Sequence, residues 1–319
     1  MIFGKQNTGI MNIKKVFITG ANGYIGGTIA HLLLQKGYEV TGLVRQPQLI
    51  AELEALGMKV VTGNLNDSDL ITNEARLSDA VINTASVLDT FFIDTLINAL
   101  RGTGKTLIHT SGSSILGDNA EGQRSDFIYN EDVPLIPAVA KTLWVALNDH
   151  VRNTAKQGIR SMVIVPTMVY GEGLGLRKES IQLPFLYQLS LEKGMGVHVE
   201  SGESIWSNIH VEDLGDLYVK ILENGVAGGY YFAENGEASL KDIAKEISRQ
   251  MGKGEETLSI TINEAVTYFK NADIARFGLA SNSRCSSAKA KQTLGWRPKY
   301  NSIFDAIKIE SAVERDLGF

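Results

Sequence analysis

Three glycines, Gly20, Gly23 and Gly26, stand between an apolar run, Lys15-Val-Phe-Ile-Thr19, and a stretch of helical apolar spacing over 25–36 closed by Gly37. A strand that turns through glycines straight into a helix leaves few folds open. Gly20 permits the tight turn, Gly23 lets the backbone approach a pyrophosphate, and Gly26 lets the helix pack closely on the sheet. The helix N-terminus adds free N–H groups and a partial positive charge, which suit phosphate oxygens. Glycines alone say little; between a strand and a helix of a βαβ unit they point to a bound dinucleotide. Asn22, Tyr24 and Ile25 fill the same turn and are candidate cofactor contacts.

The turn opens a longer alternation. Short β-rich runs at 15–19, 39–44, 59–62, 80–83, 106–109 and 161–165 are separated by helical patterns at 25–36, 47–56, 67–74, 90–100 and 139–156. Strands that alternate with helices imply a parallel sheet with right-handed crossovers and helices on both faces. The expectation is an α/β, doubly wound Rossmann domain over 13–170, preceded by a leader over 1–12. Residues 171–319 read mostly as a smaller substrate-binding lobe, with helices at 239–251, 263–269 and 286–294 and with segments around 205–235 returning to the first domain.

Composition narrows the partners. A net charge of -5 gives no reason to expect nucleic acid or an anionic membrane. No apolar run approaches the ~20 residues that span a bilayer. One cysteine, Cys285, cannot form an internal disulfide, which suits a reducing compartment and reads as an incidental small residue. The expectation is a cytoplasmic protein without a metal site, since no His/Cys/Asp spacing suggests one.

The spacing Thr19-Gly20-Ala21-Asn22-Gly23-Tyr24-Ile25-Gly26 resembles the extended short-chain dehydrogenase/reductases, an NAD-dependent epimerase/dehydratase-like family. Further matching segments run along nearly the whole chain: Gly63-Asn-Leu-Asn-Asp67, Asn83-Thr-Ala-Ser86, Thr110-Ser-Gly-Ser113, Pro166-Thr-Met-Val-Tyr170-Gly171, Ile209-His-Val-Glu-Asp213 and Leu294-Gly-Trp-Arg-Pro298. The resemblance implies that Asn64 and Leu65 meet the adenine, that Thr84, Ala85 and Ser86 follow the pyrophosphate and ribose, and that Pro166 and Val169 lie near the nicotinamide. It also implies a homodimer through helices 90–100 and 139–156, whose apolar residues include Phe91, Phe92, Leu96, Leu143, Trp144 and Leu147. The second strand ends Leu43-Val44-Arg45-Gln46, with no acid to hold the ribose hydroxyls of NAD. An arginine there can pair with a 2′-phosphate, so NADP(H) is the expected cofactor, although Arg45 also reads as a solvated loop cation.

At the catalytic centre the chain departs from the family. The resemblance implies a Tyr-x-x-x-Lys pair on the long helix and a Ser or Thr after the fifth strand. Here Pro137 stands four residues before Lys141, and no tyrosine lies between Tyr129 and Tyr170. Aligned on Gly117, the family's serine falls on Gly112, between Ser111 and Ser113. Ser111, Ser113 and Lys141 are therefore the catalytic candidates, and Lys141 is also a candidate to hold the nicotinamide ribose. The serines read equally as hydroxyls satisfying a loop, and Lys141 equally as a surface lysine in a first helical turn. Tyr170 and Trp206 are the substrate-side candidates, with Met168, Leu183, Phe185 and Tyr187 as further walls. Trp206 stands where nucleotide-sugar enzymes of the family carry a diphosphate-binding arginine, and an indole suits an apolar or aromatic compound better. His210 and Asp213 read as a structural junction. The expected function is NADPH-dependent reduction of a small, fairly apolar carbonyl compound. The alternatives are a catalytically silent NmrA-like sensor of NADP(H) and an epimerase or isomerase.

Overall fold

The computed structural model describes residues 13–308, so the expected leader over 1–12 lies outside the described residues. Strand β1 (Lys15–Thr19) is buried beyond its first residue, as a strand covered on both faces must be. It leads through the glycine turn into α1 (Tyr24–Gln35), which Gly37 ends in a left-handed conformation. Then follow β2 (Glu39–Val44), α2 (Ile50–Ala55), β3 (Lys59–Thr62), α3 (Ser68–Leu77), β4 (Ala80–Asn83), α4 (Thr90–Leu100) and β5 (Thr106–Thr110). Next come α5 (Thr142–Asn153), β6 (Arg160–Pro166), β7 (Met168–Tyr170), α6 (Gln182–Lys193), β8 (Gly196–Val199), β9 (Ile205–His210), α7 (Val211–Asn224) and β10 (Gly229–Ala233). The last elements are β11 (Glu237–Ser239), α8 (Leu240–Gln250), β12 (Thr257–Ile260), α9 (Ile262–Phe269) and α10 (Ala288–Thr293).

Seven parallel strands in the order β10-β6-β5-β4-β1-β2-β3 form the main sheet. The order reverses between β1 and β4. Such a switch point opens a crevice at the carboxyl ends of the strands, where doubly wound folds bind ligands. One face is covered by α1 and α7 around Ile29, Leu33, Leu217 and Tyr218; the other by α3, α4 and α5 around Ile71, Phe92, Leu96 and Val151. A third core, around Tyr170, Leu186, Trp206 and Ile243, belongs to a smaller lobe of α6, α8, α9 and short strands. Its parts are the sheet β11-β9-β7 and the pair β12-β8.

Two expected helices are shorter than their apolar patterns. The segment 47–56 starts as a 3-10 turn at Pro47–Leu49, and 139–156 consists of the turn Val139–Lys141, α5 and a second turn at Thr154–Gln157. The expected apolar face of α4 and α5 divides. Phe92, Leu96 and Leu147 are core, because they lie on the helix sides turned to the sheet, while Phe91 and Leu143 are 62% and 54% exposed.

Candidate active site

The glycine turn has the shape its spacing implies. Gly20 sits at φ +80°, a conformation L side chains rarely adopt. A Cβ on Gly26 would lie 2.2 Å from the Gly20 carbonyl oxygen and 2.5 Å from Thr84 Oγ1, so only glycine lets α1 start this close to the sheet. Gly23 is the N-cap of α1 and offers no side chain to its N–H groups; the first turn carries no acid. The backbone donors and the positive end of the helix are thus left for a ligand. A pyrophosphate fits this cradle. Tyr24 is buried and its hydroxyl donates to the Gly171 carbonyl at 2.8 Å, so its side chain ties down the segment after β7. In the same place Leu174 N–H donates to Thr28 Oγ1 at 3.1 Å, and Gly175 packs directly on Gly27.

The carboxyl ends of the neighbouring strands are set by a buried polar network. Thr19 Oγ1 donates to Asn83 Oδ1, which also accepts from Ala85 N–H, while Asn83 Nδ2 donates to the Ser86 carbonyl and meets His109 Nδ1 at 3.0 Å. Thr84 Oγ1 donates to the Thr19 carbonyl. Thr84, Ala85 and Ser86 are therefore fixed beside the glycine turn. His109 Nε2 has no partner, and complete burial pushes the imidazole pKa down to about 4. The folded value lies below the ordinary 6.5, so the unfolded chain takes up a proton that the native state refuses. Stability is unaffected by this group above pH 6.5 and falls as pH drops from 6.5 towards 4. Urea denaturation should show a loss of about 1.4 kcal/mol per pH unit from His109 once the unfolded state is protonated. His198 and His210, also shifted down by burial, act in the same direction. His109→Asn should make the slope shallower by that amount; an unchanged slope would contradict the assignment.

On the adenosine side Arg45 is exposed at the end of β2, with no hydrogen-bond or ion-pair partner among the described residues. Asn64 follows β3; its N–H donates to Asp67 at 2.6 Å and its Oδ1 accepts from Asn66 N–H. Asp67 thus braces the backbone of Asn64, and Leu65 packs into the α4 core.

A cavity of about 330 Å³ adjoins the first turn of α1. Ile25 lines it, as do Ser111, Ser113, Pro166, Val169 and Trp206. These residues come from four different parts of the sequence, and all are expected at the site. Trp144 and Phe185 complete aromatic walls. Trp206 is buried and its Nε1 donates to the Ser281 carbonyl at 2.8 Å. Ser111 accepts from Asn148 Nδ2 at 2.9 Å, whereas buried Ser113 Oγ has no partner. Both hydroxyls can still donate to a ligand oxygen.

Lys141 is placed differently from either expectation. It is 1% exposed, so it is no surface lysine, and its Nζ donates to both carboxylate oxygens of Asp273, at 2.7 and 2.6 Å. The ammonium also lies 4.7 Å from the centre of the Trp144 ring and 5.0 Å from that of Phe277. It is Asp273, not Lys141, that lines the cavity. Tyr170 is also displaced from the expected grouping. Side chains alternate along β7, so Val169 faces this cavity and Tyr170 faces another, of about 390 Å³, shared with Leu183, Tyr187 and His210. Met168 is core. His210 caps α7, accepting from Glu212 N–H, and stacks on Tyr300 at 3.7 Å. Asp213 accepts from the N–H groups of Lys299 and Tyr300. The two residues hold the segment at 299–300 against the start of α7. Cys285 is buried against Ser207, and burial raises its thiol pKa well above the ordinary value, which suits an inert thiol.

Asn148 and the segment from Asp273 to Leu279 were not anticipated. Nothing in local sequence marks Asn148 as turned inward. The only sign in the latter stretch is a π-helical turn at Ile274–Gly278, a feature of the backbone that recurs at functional sites. Among the described residues no helix is long and apolar enough to cross a membrane.

The model of the NAD dependent epimerase/dehydratase family matches residues 16–232. An oxidase, ucsJ, of Acremonium sp is 30% identical over 328 residues, covering 89% of this chain and 93% of its own. Dihydroflavonol 4-reductase of Zea mays is 23% identical, covering 75% of each chain. In fold the chain is similar to UDP-glucuronic acid 4-epimerase of Bacillus cereus, solved with UDP-glucuronic acid and NAD, at a TM-score of 0.72, 18% identity and coverage of 93% and 97%. The glycine turn, the seven-stranded sheet and the family match agree: this chain belongs to the NAD dependent epimerase/dehydratase family.

Proposed function

We propose that this protein is an NADPH-dependent oxidoreductase that reduces the carbonyl of a small, fairly apolar substrate. The observation that carries the reading is the shared cavity: α1, whose N-terminus suits a pyrophosphate, contributes Ile25 to the space that holds Ser111 and Ser113. When bound, the cofactor supplies the hydride. The residues of the chain do the rest. The glycine turn holds the pyrophosphate, with Thr84, Ala85 and Ser86 beside it. Ser111 and Ser113 donate to the carbonyl oxygen and are the groups that can pass it a proton, because no tyrosine lines the cavity. Asn148 Nδ2 donates to Ser111 Oγ, which leaves the Ser111 O–H to donate to the substrate. Trp144, Phe185 and Trp206 exclude water and pack on an apolar body. The reductase among the relatives supports the direction of reaction, and the dinucleotide of the epimerase structure supports the cofactor class. Purified protein with NADPH and a panel of aldehydes and ketones should consume reduced cofactor, followed by its absorbance. Tight binding without turnover on any of them would sink the reading.

That outcome is the second reading, a silent NADP(H) sensor, which the tyrosine-free cavity favours. An epimerase of nucleotide sugars is less well supported, since Trp206 cannot neutralise a diphosphate.

The preference for NADPH rests on Arg45, free at the end of β2. Arg45→Ala should weaken NADPH binding about tenfold or more while leaving NADH nearly unchanged, read by fluorescence titration. Equal affinities for the two cofactors in the unaltered protein would contradict the assignment. Phe91 and Leu143, exposed on α4 and α5, support a homodimer through that face, testable by light scattering.

A further inference from the structure

The cavity is apolar and aromatic over most of its wall, yet it holds one carboxylate. Among the described residues Asp273 is the single ionisable one lining it. Its position is built rather than incidental. The N–H groups of Asp273 and Ile274 both donate to Asn271 Oδ1, at 2.9 and 3.1 Å, which fixes the start of the π-helical turn. From behind, Lys141 grips both carboxylate oxygens, and the lysine itself is sealed between Trp144 and Phe277. The Asp273 side chain is 52% exposed where Lys141 is 1% exposed, so the pair turns its negative end to the open side. A carboxylate has about four lone-pair positions, and Lys141 occupies two of them.

We propose that Asp273 selects the substrate, the cavity taking carbonyl compounds whose apolar body carries a hydroxyl or a protonated amine and turning away carboxylates and phosphates. The inference rests on the reductase reading and sharpens its substrate class. A donor on the ligand meets an oriented, charged acceptor whose remaining lone pairs Lys141 leaves open, and hydrogen bonds to a charged group are stronger than those between neutral ones. An anionic ligand meets the carboxylate end of the pair first, because the Lys141 ammonium lies behind Asp273 and, among the described residues, no cation lines the cavity.

The test uses four probes of one shape: 4-methyl-, 4-hydroxy- and 4-(aminomethyl)acetophenone, and 4-acetylbenzoate. Each is titrated into protein saturated with NADP+, which cannot reduce them, with tryptophan fluorescence as the readout. The hydroxy and aminomethyl probes should bind about tenfold tighter than the methyl probe, and the benzoate weakest of the four. Asp273→Glu should keep the order. Because Asp273→Asn alone strands a buried ammonium, the decisive variant is Lys141→Met/Asp273→Asn, in which the four affinities should converge to within about threefold. Benzoate binding as tightly as the amine, an unchanged order in the double variant, or no binding of any probe would overturn the proposal. Turnover with NADPH separates it from the reading beneath it. Selective binding without reduction leaves the selection standing and removes the reductase; reduction of all four with equal kcat/KM does the reverse.

Discussion

Replacing Gly26 with alanine is expected to abolish dinucleotide binding, lowering NADPH affinity at least about a hundredfold in a fluorescence titration. The added Cβ would fall 2.2 Å from the Gly20 carbonyl oxygen and 2.8 Å from its carbon, both backbone, with Thr84 Oγ1 at 2.5 Å. The Gly20 atoms are backbone and cannot swing aside, so α1 itself has to move away from β1. Overpacking of this kind costs about 1–3 kcal/mol in stability. The larger effect is on the ligand, because the helix N-terminus that faces the phosphates moves with the helix. Gly23→Ala makes the contrast. Its Cβ would meet the Gly20 carbonyl oxygen alone, at 3.1 Å, and Gly23 is not at positive φ. There the fold should lose far less stability, any loss of affinity coming from a Cβ that keeps the backbone away from the pyrophosphate. Equal losses of stability at both positions would mean that close approach of the helix is not what Gly26 secures.

The second large effect concerns the Lys141–Asp273 pair. Asp273→Asn leaves an ammonium 1% exposed with no counter-charge and should destabilise the fold by about 3–5 kcal/mol in urea denaturation. Lys141→Met should cost clearly less. The carboxylate it strands is half exposed and can reach water, and the methionine stem fills the space between Trp144 and Phe277. The double variant should recover most of the loss of Asp273→Asn, since it removes the stranded charge together with its cause. Asp273→Asn proving as stable as the unaltered protein would show that Lys141 does not depend on that partner.

Much of the cofactor side was legible because it is local. The strand, the turn and the first helix lie within 15–36, and three glycine positions carry both the backbone conformation and the close packing. The substrate side depends on contacts across great distances in the chain. Lys141 and Asp273 are 132 residues apart, so no spacing rule could join them, and a lysine in a first helical turn ordinarily points to water. Asn148 reaches Ser111 from the middle of α5, where an asparagine reads as surface. Tyr170 shows the opposite failure. The motif Pro166-Thr-Met-Val-Tyr170 was recognised, but alternation along β7 puts Tyr170 on the side away from Val169. The apolar face of α4 and α5 was overdrawn for a similar reason: Phe91 and Phe92 are neighbours in sequence, yet one faces solvent and the other the core.

The central claim is that hydride passes from a dinucleotide to a carbonyl in the cavity between α1 and Trp206. It is tested most directly with NADPH stereospecifically deuterated at C4 on each face in turn, and 4-hydroxyacetophenone as acceptor. One of the two labelled cofactors should deliver a single deuterium to the carbinol carbon of the product, and the other none. Cofactor that stays reduced with no carbinol formed, although NADPH is bound tightly, would contradict the account.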